Sequence, residues 1–190
     1  MKFIVALLLI TLFSQICYPK VGEVTGLKIP RYISLKSNDA NIRVGPSINY
    51  PIVLKYIKKN YPLEVIEEYE EWRKIKDFKN NTGWIHKSLI SGDRTGIIIS
   101  KENIKSISIL NTIDGKIIGI IGKGNIVELK KCKINWCFIE VDNFKGWVRK
   151  KNIWGVKEKE IFKITFYQKF EDFYWWSINE IDRLKTRFQN

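Results

Sequence analysis

Short runs of apolar and β-branched residues, separated by turn residues, fill the chain between residues 41 and 149. Such runs, punctuated by turns like Gly45-Pro46 and Asn80-Asn81, are typical of β-strands. The first half contains predicted strands near Asn41–Val44, Ile52–Ile57, Leu63–Tyr69, Trp72–Asp77, Thr82–His86 and Arg94–Ile99. The second half contains predicted strands near Ile104–Leu110, Lys116–Ile120, Ile126–Cys132, Cys137–Asp142 and Lys145–Arg149. No βαβ or phosphate-loop pattern appears, so the chain is predicted to be all-β.

The sequence contains an internal repeat: the same pattern of residues occurs twice along the chain. Trp72 opens a strand and is followed by Gly83-Trp84; Trp136, 64 residues later, opens another and is followed by Gly146-Trp147. This period exceeds that of solenoid repeats and suits a small domain. A unit of about 60 residues is marginally stable alone, and two abutting units share burial. The pattern therefore predicts tandem duplication of a domain.

An ordered set of motifs carries a family resemblance. The pattern N-x-R-x-G-P (Asn41, Arg43, Gly45 and Pro46) precedes the Gly83-Trp84-Ile85-His86 run, and the second unit repeats Gly-Trp. Over residues 31–156 the chain resembles a bacterial SH3-like (SH3b) domain, more closely the exported tandem-SH3 proteins of alphaproteobacteria. The resemblance implies two SH3-like barrels, at 28–95 and 96–156, with no established catalytic activity and a role in cell-wall or peptide binding. The second unit has no N-x-R-x-G-P motif, so a binding loop shaped by it would occur only in the first.

The N-terminus predicts export. Lys2 precedes the uncharged apolar run Phe3–Phe13, which is shorter than the roughly 20 residues of a membrane span. This fits the core of a secretory signal, so residues 1–18 are predicted to be a signal peptide and the protein periplasmic. An uncleaved N-terminal membrane anchor is the alternative.

The tail, residues 157–190, is rich in aromatic residues. Several of its apolar residues recur at helical spacing, and an alternating stretch near its start could form a strand first. The tail is therefore predicted to be a largely helical extension. It would either pack on the second barrel or dock on a membrane surface or a partner.

The chain is strongly basic. It has 33 Lys+Arg against 20 Asp+Glu, a formal net charge of +13. After export the natural partners are anionic wall or membrane-surface polymers and not nucleic acid. The leading prediction is a non-catalytic envelope binding module for peptidoglycan stems or extended peptides. The alternative is a scaffold that assembles envelope complexes through the tail.

The chain offers little for catalysis, and it is predicted not to be an enzyme. His86 is the single histidine, and we interpret it as a strand-end residue that caps the next turn. Cys132 and Cys137, an even pair in an exported protein, are predicted to form a disulfide, which leaves no Cys–His nucleophile. The Glu-rich run 67–71 is interpreted as a solvated hairpin tip. Neither a metal nor a cofactor is expected.

Six residues are candidates for ligand binding. Arg43 could receive a ligand carboxylate in bidentate fashion, or it could hydrogen-bond loop carbonyls and fix the shape of its loop. Aromatic residues near the loops could line a groove that accepts extended chains, or could be packing residues. The candidates are Asn41, Arg43, Tyr50, Tyr56, Trp72 and Trp84.

Aligning the two Trp residues that open the repeated strands gives a further prediction. Glu68 then falls on Cys132, and Arg73 on Cys137. Each pair flanks a hairpin connection and should lie directly across an antiparallel ladder. The same position would be joined by a disulfide in the second unit and by an exposed ion pair in the first.

Overall fold

A computed structural model describes residues 20–100 and 104–162. Within these ranges the regular structure is β-strand, apart from two single-turn 3₁₀ helices at Lys87–Leu89 and Lys150–Asn152. The strands are β1 (Arg31–Leu35), β2 (Ala40–Arg43), β3 (Ile52–Tyr56), β4 (Pro62–Tyr69), β5 (Trp72–Lys76), β6 (Thr82–His86), β7 (Ile90–Ser91), β8 (Thr95–Ile98), β9 (Ser106–Leu110), β10 (Ile117–Gly122), β11 (Ile126–Cys132), β12 (Trp136–Val141), β13 (Phe144–Arg149) and β14 (Ile153–Trp154). The all-β prediction is confirmed for the described chain.

The strands form two seven-stranded antiparallel sheets with the same topology. The first unit, β1 to β7, has the order β3-β2-β6-β5-β4-β1-β7, and the second unit, β8 to β14, has the order β10-β9-β13-β12-β11-β8-β14. Each strand of the second sheet thus takes the place of the strand seven earlier, which is the result expected from tandem duplication.

The predicted strands are all present, but one belongs to the other unit. The sequence pattern places the strand near Arg94–Ile99 at the end of the first unit, whereas in the structure β8 belongs to the second sheet and lies between β11 and β14. Its equivalent, β1, lies between β4 and β7 and was not predicted. The two-residue strands β7 and β14 were not predicted either.

Each sheet encloses its own hydrophobic core. The first core draws on β1 to β6 and includes Leu35, Ile42 and Ile75, all fully buried. The second draws on β8 to β14 and includes the buried disulfide cysteines. Because strands from opposite ends of each sheet contribute to one core, each sheet must curl around it, as an SH3-like barrel does.

The described ends of the chain are held by buried charges. The Glu68 carboxylate accepts hydrogen bonds from the backbone N–H groups of Val24 and Thr25, at 3.1 and 2.8 Å, and so fixes the segment before β1. At the other end, the Lys150 Nζ donates to the carbonyl of Glu160 at 2.7 Å. Phe162 then forms an isolated antiparallel bridge with Cys132.

Two sequence predictions fall mostly or wholly beyond this part of the chain. The predicted signal peptide, residues 1–18, and residues 163–190 of the predicted helical extension lie outside the described residues. Residues 157–162 of that extension form a turn and the bridge at Phe162. Among the described residues, none of the helices has the length and apolar character needed to span a bilayer.

Strand β1 of the first unit contacts strands β8 and β14 of the second unit. The Ser34 hydroxyl lies 2.6 Å from that of Thr95 and donates to the carbonyl of Asp93, also at 2.6 Å. Beside it, the Tyr32 ring meets the Trp154 ring edge-on with centroids 5.2 Å apart. Buried hydroxyl and aromatic contacts therefore join the units.

Candidate binding groove of the first unit

The outer face of the first sheet carries several of the predicted ligand-binding residues. Strand pairing places Trp72 opposite His86, and Trp84 between Lys74 and Arg43. Residues directly opposite on neighbouring strands share a face of the sheet. Three of the six candidates, Arg43, Trp72 and Trp84, therefore belong to one surface, while Ile75 and Ile85 point into the core.

A groove of about 630 Å³ runs beside this face. The loop between β2 and β3 forms one wall, and the β4–β5 hairpin forms the other. Tyr50 and Tyr69 expose 46% and 51% of their surface, whereas Trp72 exposes only 8%. The lining residues are Pro46, Ser47, Ile48, Tyr50, Tyr69, Glu70, Glu71, Trp72 and His86. The groove thus offers two accessible tyrosine rings, whereas the Trp72 indole beside them is largely buried.

Arg43 shapes the loop wall of the groove. Its Nη1 donates to the carbonyl of Tyr50 at 2.6 Å, across the turn that contains Gly45-Pro46. A Cβ on Gly45 would lie 2.7 Å from the Tyr50 ring, so the ring can fold back on the turn only because a glycine is there. This geometry matches the loop-fixing interpretation of Arg43.

His86 caps the turn that follows β6. Its Nδ1 accepts a hydrogen bond from the Ser88 N–H at 3.3 Å and lies 2.8 Å from the Ser88 hydroxyl. The imidazole also meets the Trp72 ring edge-on, with centroids 5.4 Å apart. The predicted capping role is confirmed, and the ring helps to hold Trp72 at the groove.

The Glu-rich hairpin is only partly a solvated tip. Glu67, Glu70 and Glu71 are exposed, and a hydrogen bond from Lys87 lowers the pKa of Glu71. Glu68 is different: its side chain is fully buried and forms an ion pair with Arg31 at 2.6 Å. The prediction is therefore wrong for Glu68, because the segment before β1 covers it.

Tyr56 and Asn41 lie apart from the groove lining. Tyr56 is 8% exposed and its hydroxyl donates to the buried Asp77 carboxylate at 3.0 Å. Burial, followed by the nearby Asp77 charge, raises the pKa of Tyr56. Asn41 is half-buried on β2, opposite Lys55. Of the six candidates, Tyr50 and Trp72 line the groove. Arg43 does not line it but holds the β2–β3 loop that forms one of its walls.

The equivalent face of the second unit is covered by cations. The Arg149 guanidinium lies 4.1 Å from the centroid of Trp136, which replaces Trp72. The Lys131 ammonium lies 5.3 Å from the centroid of Trp147, which replaces Trp84. Leu110 stands opposite Trp147, where Arg43 stands opposite Trp84. A lysine also lies over Trp84 in the first unit, so the two faces differ in the arginine that covers Trp136 and in Leu110, which stands where the first unit has its loop-fixing arginine.

Residues 36–92 and 113–155 match the family of the bacterial SH3 domain. The chain belongs to the bacterial SH3 domain family. Each matched segment falls within one of the two sheets, which makes this a tandem bacterial SH3 protein. The family resemblance seen in the sequence is confirmed.

Other comparisons are weaker. No curated protein matches the chain. Similar solved structures include NlpC2 from Trichomonas vaginalis, at 10% identity, a TM-score of 0.29, and coverage of 66% of this chain and 48% of that one. A NlpC/P60 family protein from Bacillus cereus gives 10% identity, a TM-score of 0.29, and coverage of 64% and 55%. This bacterial SH3 protein spans about half the length of either structure.

Sequence reasoning missed several residues of this SH3 groove. The sequence pattern identifies Tyr69 only as a strand residue and gives no signal for Ile48, which is 73% exposed. Tyr69 stands directly opposite Trp72 in the β4–β5 pairing. The predicted hairpin between them was a usable signal, because residues beside a tight turn face each other.

Proposed function

We propose that this tandem SH3 protein is a non-catalytic binding module of the bacterial envelope, and that its first-unit groove recognises peptidoglycan stem peptides or other extended peptides. The observation that carries the proposal is that the exposed Tyr50 and Tyr69 line one groove together with Trp72. Rigid aromatic side chains give large contact area at a low cost in conformational entropy. Membership of the bacterial SH3 family supports a role at the cell wall.

The charge distribution of the groove favours a peptide with a cationic group. Glu70 and Glu71 line its hairpin wall. Lys87 pairs with Glu71 at 2.7 Å and thereby neutralises part of this wall. Stem peptides carry free amino groups as well as carboxylates, so an amine could approach Glu70 while apolar side chains contact the tyrosines. The overall net charge of +13 would favour approach to anionic wall polymers.

Periplasmic location is part of the proposal. The sequence signal is the apolar run Phe3–Phe13 after Lys2. The disulfide between Cys132 and Cys137 supports it, because disulfides persist in oxidising compartments. It also occupies both cysteines of the described residues, which supports a non-catalytic role. A reporter enzyme fused after Lys28 should be active only outside the cytoplasm.

The decisive test is co-sedimentation with purified peptidoglycan. The double variant Tyr50→Ala/Tyr69→Ala removes two exposed rings and should bind at least about fivefold more weakly while remaining folded. Phe144→Ala is the matched control, since it removes a ring that is 60% exposed on the second unit. Equal binding by both variants would refute the groove assignment.

The same assay separates the alternative role as a scaffold. A protein ending at Phe162 keeps every described strand. If it binds peptidoglycan normally but no longer captures envelope proteins, the tail carries the interactions and the scaffold is the better description. Mass spectrometry of the supernatant should show no released wall fragments, as expected of a module without catalytic activity.

A further inference from the structure

A second groove, of about 530 Å³, lies where the two units meet. Its walls come from three separate parts of the chain: the start of β1 with the segment before it, the residue before β8, and the turn after β14. The lining residues are Lys28, Pro30, Arg31, Tyr32, Arg94, Lys157, Lys159 and Glu160. We call it the inter-unit groove. It shares no lining residue with the first-unit groove.

The inter-unit groove is strongly cationic. Five of its lining side chains are Lys or Arg, against the single carboxylate of Glu160. That carboxylate is already engaged, because both of its oxygens accept from the Arg94 guanidinium and one also accepts from the Lys157 N–H at 3.0 Å. Lys28 and Lys159 remain exposed at the rim. Glu68 likewise pairs with Arg31, so the positive potential of the groove comes from its three lysines.

Two arginine N–H groups in its walls lack acceptors. Among the described residues, neither Nη1 of Arg31 nor Nε of Arg94 has a hydrogen-bond partner, and both atoms are buried. Each guanidinium is held in place through another nitrogen: Nη2 of Arg31 pairs with Glu68 at 2.6 Å, and Nη2 of Arg94 donates to the carbonyl of Gly155 at 3.0 Å. A buried donor without an acceptor destabilises the folded protein, and an acceptor that reaches it relieves that cost. Two arginines that line the groove are thus fixed in position and keep unused hydrogen-bonding capacity.

We propose that the inter-unit groove binds the carboxylate of an organic ligand. Arginine N–H groups suit a planar carboxylate, and the lysines at the rim add attraction at longer range. Pro30 and the ring of Tyr32 supply an apolar wall, which suits a carboxylate attached to carbon better than a fully hydrated inorganic anion. This site goes beyond the proposed peptide groove and stands independently of it.

The test titrates the full-length, ¹⁵N-labelled protein with N-acetyl-alanyl-alanine, whose one charged group is a carboxylate. Amide signals of residues 28–32 and 157–160 should shift with saturation, and the C-terminal amide of the same dipeptide should not shift them. The double variant Lys28→Gln/Lys159→Gln should weaken binding about tenfold, because two exposed charges near the ligand are lost. The control Lys58→Gln/Lys123→Gln removes the same charge from exposed positions outside this groove and should bind normally.

Three results would overturn the proposal. The first is equal binding of the acid and its amide; the second is an equal effect of both lysine variants, which would mean a non-specific charge effect. The third is inorganic phosphate that binds more tightly than the acid at this groove. The Tyr50→Ala/Tyr69→Ala variant separates the two sites: it should bind the dipeptide here as well as the unchanged protein does, whatever happens to its peptidoglycan binding.

Discussion

Glu68 lies directly opposite Arg73 on the β4–β5 ladder, at the position where the second unit joins Cys132 to Cys137 by a disulfide. The Glu68 Oε1 is 3.6 Å from the Arg73 Nε. The predicted equivalence of the two pairs is therefore confirmed. The expected exposure is wrong: the side chains are 0% and 5% exposed, so the charges are buried. Burial changes the energetics, because a buried pair is screened little by salt and is costly to break.

The first prediction concerns Glu68 and acid. Burial alone would raise its pKa, but hydrogen bonds from Thr25 and Arg31 outweigh burial and lower it from the usual 4.5 to about 2. A carboxylate with a lowered pKa contributes stability above its unfolded-state pKa and loses it as the pH falls towards the folded value. Stability should therefore decline between about pH 4.5 and pH 2. Urea unfolding at a series of pH values measures this decline.

Glu68→Gln should remove that pH-dependent contribution and destabilise the protein near neutral pH by about 3 kcal/mol, since it leaves Arg31 and Arg73 without their buried counter-charge. The matched control is Glu67→Gln, the neighbouring residue, whose pair with Lys74 is exposed. It should change stability by less than about 1 kcal/mol. Equal losses in the two variants would contradict the special role of Glu68.

The second prediction concerns the Cys132–Cys137 disulfide. It closes a loop with a sequence separation of only 5 residues, so its effect on the unfolded chain is worth about 2 kcal/mol. Reduction should speed hydrogen exchange in β11 and β12 but leave the first unit protected. The Cys132→Ala/Cys137→Ala variant should show no response to reductant. Global unfolding on reduction would show that the disulfide supports far more than its hairpin.

Sequence patterns predicted long strands well and short or junctional ones poorly. The eleven predicted strands carry enough apolar, aromatic and β-branched residues to be recognised alone. β7 and β14 have two residues each, too few for any pattern. β1 does not alternate clearly, because its last three residues are all buried, including the polar Ser34 beside Thr95. The membership of β8 depends on pairing with β11, which local sequence does not encode.

The candidate sites show the same division. Residues close to a recognisable loop motif, such as Arg43 and Tyr50, could be found because local spacing brings them together. The inter-unit groove combines Arg31, Arg94 and Lys157, which are distant in sequence and carry no motif. The burial of Glu68 likewise depends on the segment before β1, which passes 43 residues away in sequence at Thr25. Only the folded chain reveals such long-range contacts.

The third prediction separates the two interpretations of Arg43. Arg43→Ala removes the hydrogen bond to the Tyr50 carbonyl and should cost about 1 kcal/mol, with faster hydrogen exchange in residues 44–51. Arg43→Lys is the discriminating variant. A lysine can donate to one carbonyl but cannot make a bidentate contact. If Arg43→Ala weakens peptidoglycan binding and Arg43→Lys does not, the loop-fixing role is supported. If both variants lose binding, Arg43 contacts a ligand carboxylate directly.

The last prediction uses a glycine that both units share. A Cβ on Gly83 would lie 2.4 Å from Cγ2 of Ile42, and a Cβ on Gly146 would lie 2.4 Å from Cγ2 of Ile109. Both neighbours belong to well-packed cores, where extra volume typically costs about 1–3 kcal/mol. Gly83→Ala and Gly146→Ala should each destabilise their own unit by similar amounts, because the packing is duplicated. Gly92→Ala is the control, since an added Cβ there meets nothing within 4 Å. Thermal unfolding measures the stability of the three variants. A Gly146→Ala protein as stable as Gly92→Ala would contradict the structural equivalence of the two units.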